Sequence, residues 1–81
     1  MARRRRAKEI TGADALAWRT ELRQNQAEFW GPIGVTQSGG SRYEAGRRIS
    51  TPVALLLWAL RTGKLSESEL QDGLRAIGRG E

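Results

Sequence analysis

The sequence predicts an all-α fold, a compact bundle of four to five helices, and three observations predict it. Apolar residues recur at helical spacing in successive segments. Good capping residues and glycine stops punctuate those segments. No segment alternates apolar and polar residues as a half-buried strand would. The 81 residues suit one domain with one modest core.

Residues 1–8 carry Arg3, Arg4, Arg5, Arg6 and Lys8 without apolar periodicity, so a flexible basic arm is expected there, ahead of a folded domain over 9–81. Thr11 is a candidate N-cap, with Asp14 three residues on near the positive end of the helix dipole. The first helix is expected from Gly12 to Arg23, with Ala15, Trp18 and Leu22 as a core-facing stripe.

Asn25 caps a second helix beginning at Gln26. Phe29 and Ile33 give that helix a short apolar face. Pro32 disturbs its last turn, and Gly34 closes it in the left-handed conformation. Val35 plugs the turn, Thr36 caps a third helix over 37–45, and Gly46 stops it. Two helices joined this tightly cross steeply, so 26–45 reads as a helix-turn-helix.

Thr51 and Pro52 read as the N-cap and first residue of a fourth helix, 52–61, with Val53, Leu56, Leu57 and Leu60 on a wide apolar face and Trp58 as core. Ser66 and Glu69 form a capping box for a fifth helix, 66–77, whose Leu70, Leu74 and Ile77 share a stripe.

Charge and composition narrow the function. Up to Arg48 there are ten basic residues and five acidic ones, whereas four of each follow. A polyanion is therefore expected to meet the N-terminal half. With no cysteine and no histidine, disulfides, thiol nucleophiles, the usual zinc ligand sets and an imidazole base are all excluded, so no enzyme, metal or cofactor is expected. No apolar stretch approaches the roughly 20 residues of a membrane span, which makes a cytoplasmic, nucleoid-associated protein the expectation.

From Leu22 the chain reads LRQNQAEFWGPIGVTQSGGSRYEAGRR. Gln26, Phe29, Ile33, Gly34, Val35, Thr36, Ser41, Tyr43, Glu44 and Gly46 fall at the spaced positions of a known pattern. Over about Leu16 to Leu60 the chain resembles the Cro/CI-type (XRE-like) helix-turn-helix regulators. The resemblance implies a lambda-repressor-like DNA-binding fold and a sequence-specific regulator of transcription, a repressor, that reads double-stranded DNA in the major groove.

A major groove admits one helix, whose outward residues reach base edges. On the third helix that outward set is Gln37, Ser38, Ser41 and Arg42. Glutamine suits adenine and arginine suits guanine, each worth about 1–3 kcal/mol of discrimination. Thr36, and Arg47 and Arg48 just after the third helix, suit phosphate contacts that would hold register without reading sequence, and the resemblance implies that Asn25 and Gln26 meet phosphates as well. It also implies an Arg19–Glu44 ion pair bracing the first helix against the third. Arg3 to Arg6 would lie in an adjacent minor groove or along phosphates, or form a solvated tail that acts only as a nonspecific electrostatic tether.

Two residues depart from the pattern. Trp30 stands where the second helix usually has a small residue, and Gly40 stands where the third usually has Ile or Val. A size exchange explains both, with the Trp30 indole packed over the Gly39–Gly40 surface. Two glycines inside one helix cost about 2 kcal/mol relative to alanine, so a close approach must compensate.

A single motif reads few base pairs, so a homodimer on a palindromic operator is expected, joined through surplus apolar surface on the last two helices. The alternative is an antitoxin-like or adaptor protein that binds a protein partner through those helices, with DNA binding secondary.

Overall fold

The computed structural model describes residues 9–78; the basic arm of residues 1–8, with Arg3, Arg4, Arg5 and Arg6, lies outside them. Among the described residues there are five α-helices and no strand: α1 (Gly12–Glu21), α2 (Gln26–Trp30), α3 (Gln37–Glu44), α4 (Thr51–Arg61) and α5 (Glu67–Ala76), with a 3-10 turn over Gly31–Ile33.

Helix starts follow their capping residues closely. The Thr11 hydroxyl accepts from the Asp14 amide at 3.1 Å, and the Asp14 carboxylate accepts from the Thr11 amide at 3.0 Å. Asn25 and Glu28 make the same reciprocal pair at 2.8 and 2.9 Å. Ser66 and Glu69 repeat it at 3.1 and 2.8 Å. Each box satisfies two amides that a helix start otherwise leaves open.

Helix ends depart from the sequence reading in instructive ways. The first helix stops at Glu21 rather than Arg23. Arg23 adopts φ 59°, its amide donates to the Thr20 carbonyl, and the Gln24 amide donates back to the Arg19 carbonyl. That arrangement closes the helix with an arginine in the place glycine usually fills. Leu22 consequently leaves the core stripe and is half exposed.

At the end of α2, Pro32 cannot donate, so the ladder tightens into the 3-10 turn and the α-helix ends at Trp30, four residues short of Gly34. Gly34 then turns with φ 81°, and the Val35 amide reaches the Trp30 carbonyl at 3.1 Å. The cap of α4 is Ser50 rather than Thr51, and its hydroxyl makes no capping bond.

The core gathers Ala15, Phe29, Trp30, Ile33, Ile49 and Leu57, with Trp18, Val35, Tyr43, Leu60 and Leu70 packed around it. Its centre is aromatic. The Trp18 and Phe29 rings meet edge to face at 5.3 Å, as do Phe29 and Trp30 at 5.2 Å, a geometry that aligns ring edges with ring faces. Besides Leu22, two residues assigned to the core from sequence are at the surface. Trp58 is 47% exposed and Ile77 69% exposed. On α4 the core-facing stripe takes Val53, Leu56, Leu57 and Leu60, so Leu55 and Trp58 fall on the opposite side; Ile77 follows the last turn of α5.

Candidate nucleic-acid interface

The site begins with a buried carboxylate. Glu44, on α3, accepts from Arg19 Nε and Nη2, both at 2.8 Å, across the gap to α1. It accepts also from Gln26 Nε2 at 3.0 Å and from Trp30 Nε1 at 2.8 Å, both on α2. Its side chain is 6% exposed and that of Arg19 is 19% exposed. Three helices are thus tied at one point by four donors.

Burial alone would push the Glu44 carboxyl upward. The bonds from Arg19, Gln26 and Trp30, with the Arg19 charge, outweigh it and hold the pKa at about 2. The same hydrogen bond with Glu44 raises Arg19, against the opposing effect of burial.

Trp30 supplies volume as well as a donor. Its side chain is wholly buried and lies against α3 at Gly40, where a Cβ would come within 2.2 Å of Cδ1 and 2.4 Å of Cγ. Only glycine fits there. The Trp30 and Tyr43 rings lie 5.4 Å apart at 39°, so tryptophan fills the space that an aliphatic residue of α3 would otherwise take. Gly39 is less constrained, with a Cβ placed 3.2 Å from Val35 Cγ1.

A second close approach fixes α1 against the end of α3. A Cβ on Gly12 would stand 1.8 Å from the Tyr43 carbonyl oxygen, so the backbones are in direct contact. Sequence reasoning treated Gly12 only as a helix start. A glycine directly after a cap offers no local sign of a partner 31 positions away.

With α3 fixed on its inner side by Gly40, Tyr43 and Glu44, the opposite side is exposed. Gln37, Ser38, Ser41 and Arg42 all lie on it, and Arg47 and Arg48 follow, also exposed. Arg48 Nε is 3.2 Å from Glu9 Oε2 in a solvent-exposed pair, an arrangement that contributes little to stability. Thr36 caps α3 by accepting from the Gly39 amide at 3.0 Å.

Asn25 spends its carbonyl oxygen on the α2 cap, which leaves its amide group to donate outward. Gln26 is the surprise. It is partly buried and bridges inward to Glu44 and outward to Gln37, whose Nε2 donates to Gln26 Oε1 at 3.2 Å. No sequence signal linked Gln26, Trp30 and Glu44, because the bonds depend on how α2 and α3 cross.

Comparison with known proteins adds the family to this geometry. The family model for the RsaL-like helix-turn-helix domain matches residues 16–59. A solved structure of the quorum-sensing repressor RsaL of Pseudomonas aeruginosa is similar, with 35% identity over 80% of this chain and 96% of that one and a TM-score of 0.72. Comparison with curated proteins gave no match. The matched span runs from the middle of α1 nearly to the end of α4, covering the crossed helices, the Glu44 cluster and the exposed side of α3, so the chain belongs to the RsaL-like helix-turn-helix domains.

Proposed function

We infer that this chain is a DNA-binding transcriptional repressor that inserts α3 into the major groove of an operator. The observation that carries this is the exposed polar side of α3, presented on a helix whose other side is locked by the Glu44 cluster and the Trp30–Gly40 contact. A braced helix with exposed amide, hydroxyl and guanidinium groups matches the donor and acceptor pattern of base edges.

In this reading Gln37, Ser38, Ser41 and Arg42 contact bases, and Asn25, Gln26, Thr36, Arg47 and Arg48 contact phosphates. Arg3 to Arg6 add sequence-independent attraction. Repression follows by occlusion of promoter DNA, and the place of action is the nucleoid in the cytoplasm. Within the helix-turn-helix class, the ten motif positions support the Cro/CI-type assignment.

Selection of bound duplexes from random DNA at physiological salt tests this proposal. The native chain is expected to enrich one motif. Arg42→Ala is expected to weaken binding about 10- to 100-fold and relax preference at one base position, the cost of one lost bidentate contact of about 1–3 kcal/mol. Enrichment of no motif sinks the proposal. A uniform loss across sequences moves Arg42 to the backbone-contacting set.

The repressor acts as a homodimer on a palindromic site, a reading supported by Leu55 at 60% exposure on the side of α4 away from the core. Sedimentation with the selected duplex is expected to give two chains per site; one chain per site overturns the dimer. The same exposed side supports the second reading, an adaptor that binds a protein partner through α4 and α5. Co-elution of a stoichiometric partner from cell extract favours that one.

A further inference from the structure

Away from α3, a groove of about 670 Å³ runs between α1 and α4, within the size range of clefts that hold ligands. Its walls are the rings of Trp18 and Trp58, and Glu9, Asp14 and Glu21 stand on its rim beside Arg61. In a chain of net charge +5, a rim with three carboxylates and one guanidinium reverses the local sign.

The groove already holds one guanidinium. The Arg61 Cζ lies 5.0 Å from the centre of the Trp18 ring, and its Nη1 lies 3.4 Å from Glu21 Oε1. Aromatic faces and carboxylates attract arginine together. Glu9 and Glu21 are largely exposed, at 61% and 67%, and a carboxylate has room for more than one donor. Trp58 turns its half-exposed ring to the same groove, where no described cation stacks on it as Arg61 stacks on Trp18.

We propose that this groove is the seat of the chain's own residues 1–8, which hold their arginines against Trp58 and the carboxylate rim until duplex DNA competes for them. The segment enters the described chain at Glu9, itself a rim residue. Eight extended residues reach about 26 Å, enough to lie along the groove. Charge is complementary: the segment carries Arg3, Arg4, Arg5, Arg6 and Lys8, and the rim at which it enters carries Glu9, Asp14 and Glu21. Exposed ion pairs are weak and screened by salt, whereas a duplex presents a far denser line of charge. The seat therefore yields to DNA and resists casual contacts with other anions.

The chain has no cysteine, so Ala2→Cys accepts a single nitroxide in the full-length protein, and NMR line broadening reports what the arm touches. The indole N–H signals of Trp18 and Trp58 are expected to lose more than half their intensity at about 50 mM salt, and the excess is expected to vanish near 1 M salt. The backbone amides of residues 47–49 stand near the tether, because Arg48 pairs with Glu9, and are expected to lose much less. Glu21→Lys, at an exposed position, is expected to abolish the excess without changing the melting temperature.

Mixed-sequence duplex is expected to abolish the excess too, with the anisotropy of a dye on the duplex reporting binding in the same sample. Failure of the repressor reading would thus appear as unbound duplex while the salt and Glu21→Lys results still decide the seat. Equal broadening of indoles and residues 47–49 overturns the proposal, as does an excess that survives Glu21→Lys or a saturating bound duplex. Broadening that passes from a labelled chain to an unlabelled one assigns the groove to a second copy and overturns it as well.

Discussion

Gly40→Val is expected to destabilise the protein by about 3 kcal/mol, a fall of about 15 °C in melting temperature for a domain of this size. The added Cβ would stand 2.2–2.6 Å from three atoms of the Trp30 ring, and that ring has nowhere to go. It is fully buried and its Nε1 is bonded to Glu44.

Either the indole leaves its site, losing a buried hydrogen bond worth about 1–3 kcal/mol, or α3 moves away from α2. Helix propensity works the other way, since removing a glycine gains only about 1 kcal/mol. Sterics win. Gly39→Ala is the internal control. Its Cβ meets Val35 and Thr36 at 3.2 Å, which small side-chain shifts relieve, so its stability is expected within about 1 kcal/mol of the native chain. Urea unfolding of both variants measures the difference, and equal stability would rule out the tight Trp30 contact.

Glu44→Gln is the second large effect. A buried ion pair broken from one side leaves an uncompensated charge, here the Arg19 guanidinium, and costs about 3–5 kcal/mol. The Trp30 and Gln26 donors lose their charged acceptor at the same time.

The pH dependence carries a signature. The Glu44 carboxyl has its pKa lowered from 4.5 to about 2 in the folded protein, so between those values the unfolded chain holds a proton that the folded chain does not. Stability from this group is fully present above pH 4.5 and is lost as pH falls towards 2. The gap in unfolding free energy between the native chain and Glu44→Gln is therefore expected to narrow over that interval. A gap that stays constant down to pH 2 would mean that the charge of Glu44 does not matter.

Local chemistry in the sequence was enough to place every helix, with all bounds except the end of α2 falling within about two residues of the observed ones, the usual spread of boundary assignments. Thr11, Asn25, Thr36 and Ser66 each start a helix by side-chain bonds that depend only on neighbours three positions away. The Trp30–Gly40 exchange was legible because a large and a small residue departed from the motif together, and the Arg19–Glu44 pair was expected from the resemblance. What escaped was long-range. Nothing near Gly12 hints at the Tyr43 carbonyl, and nothing in Gln26 says that its amide turns inward. Trp58 was misplaced because a mostly apolar helix has too little pattern to tell its covered side from its open one. Leu22 and Ile77 were misplaced for a different reason: each lies just past a helix end, where the periodicity no longer applies.

The bonds from Gln37 through Gln26 to Glu44 have a fixed polarity. An ionised carboxylate can only accept, so Gln26 must turn its nitrogen towards Glu44 and its oxygen towards Gln37, which answers with its own nitrogen. The carbonyl oxygen of Gln37 is thereby left as the free end of the relay, with one N–H beside it. If Gln37 meets a base as proposed, an anion in the protein interior thus selects which end of its amide comes first, favouring the exocyclic amino groups of adenine and cytosine over the keto oxygens of guanine and thymine.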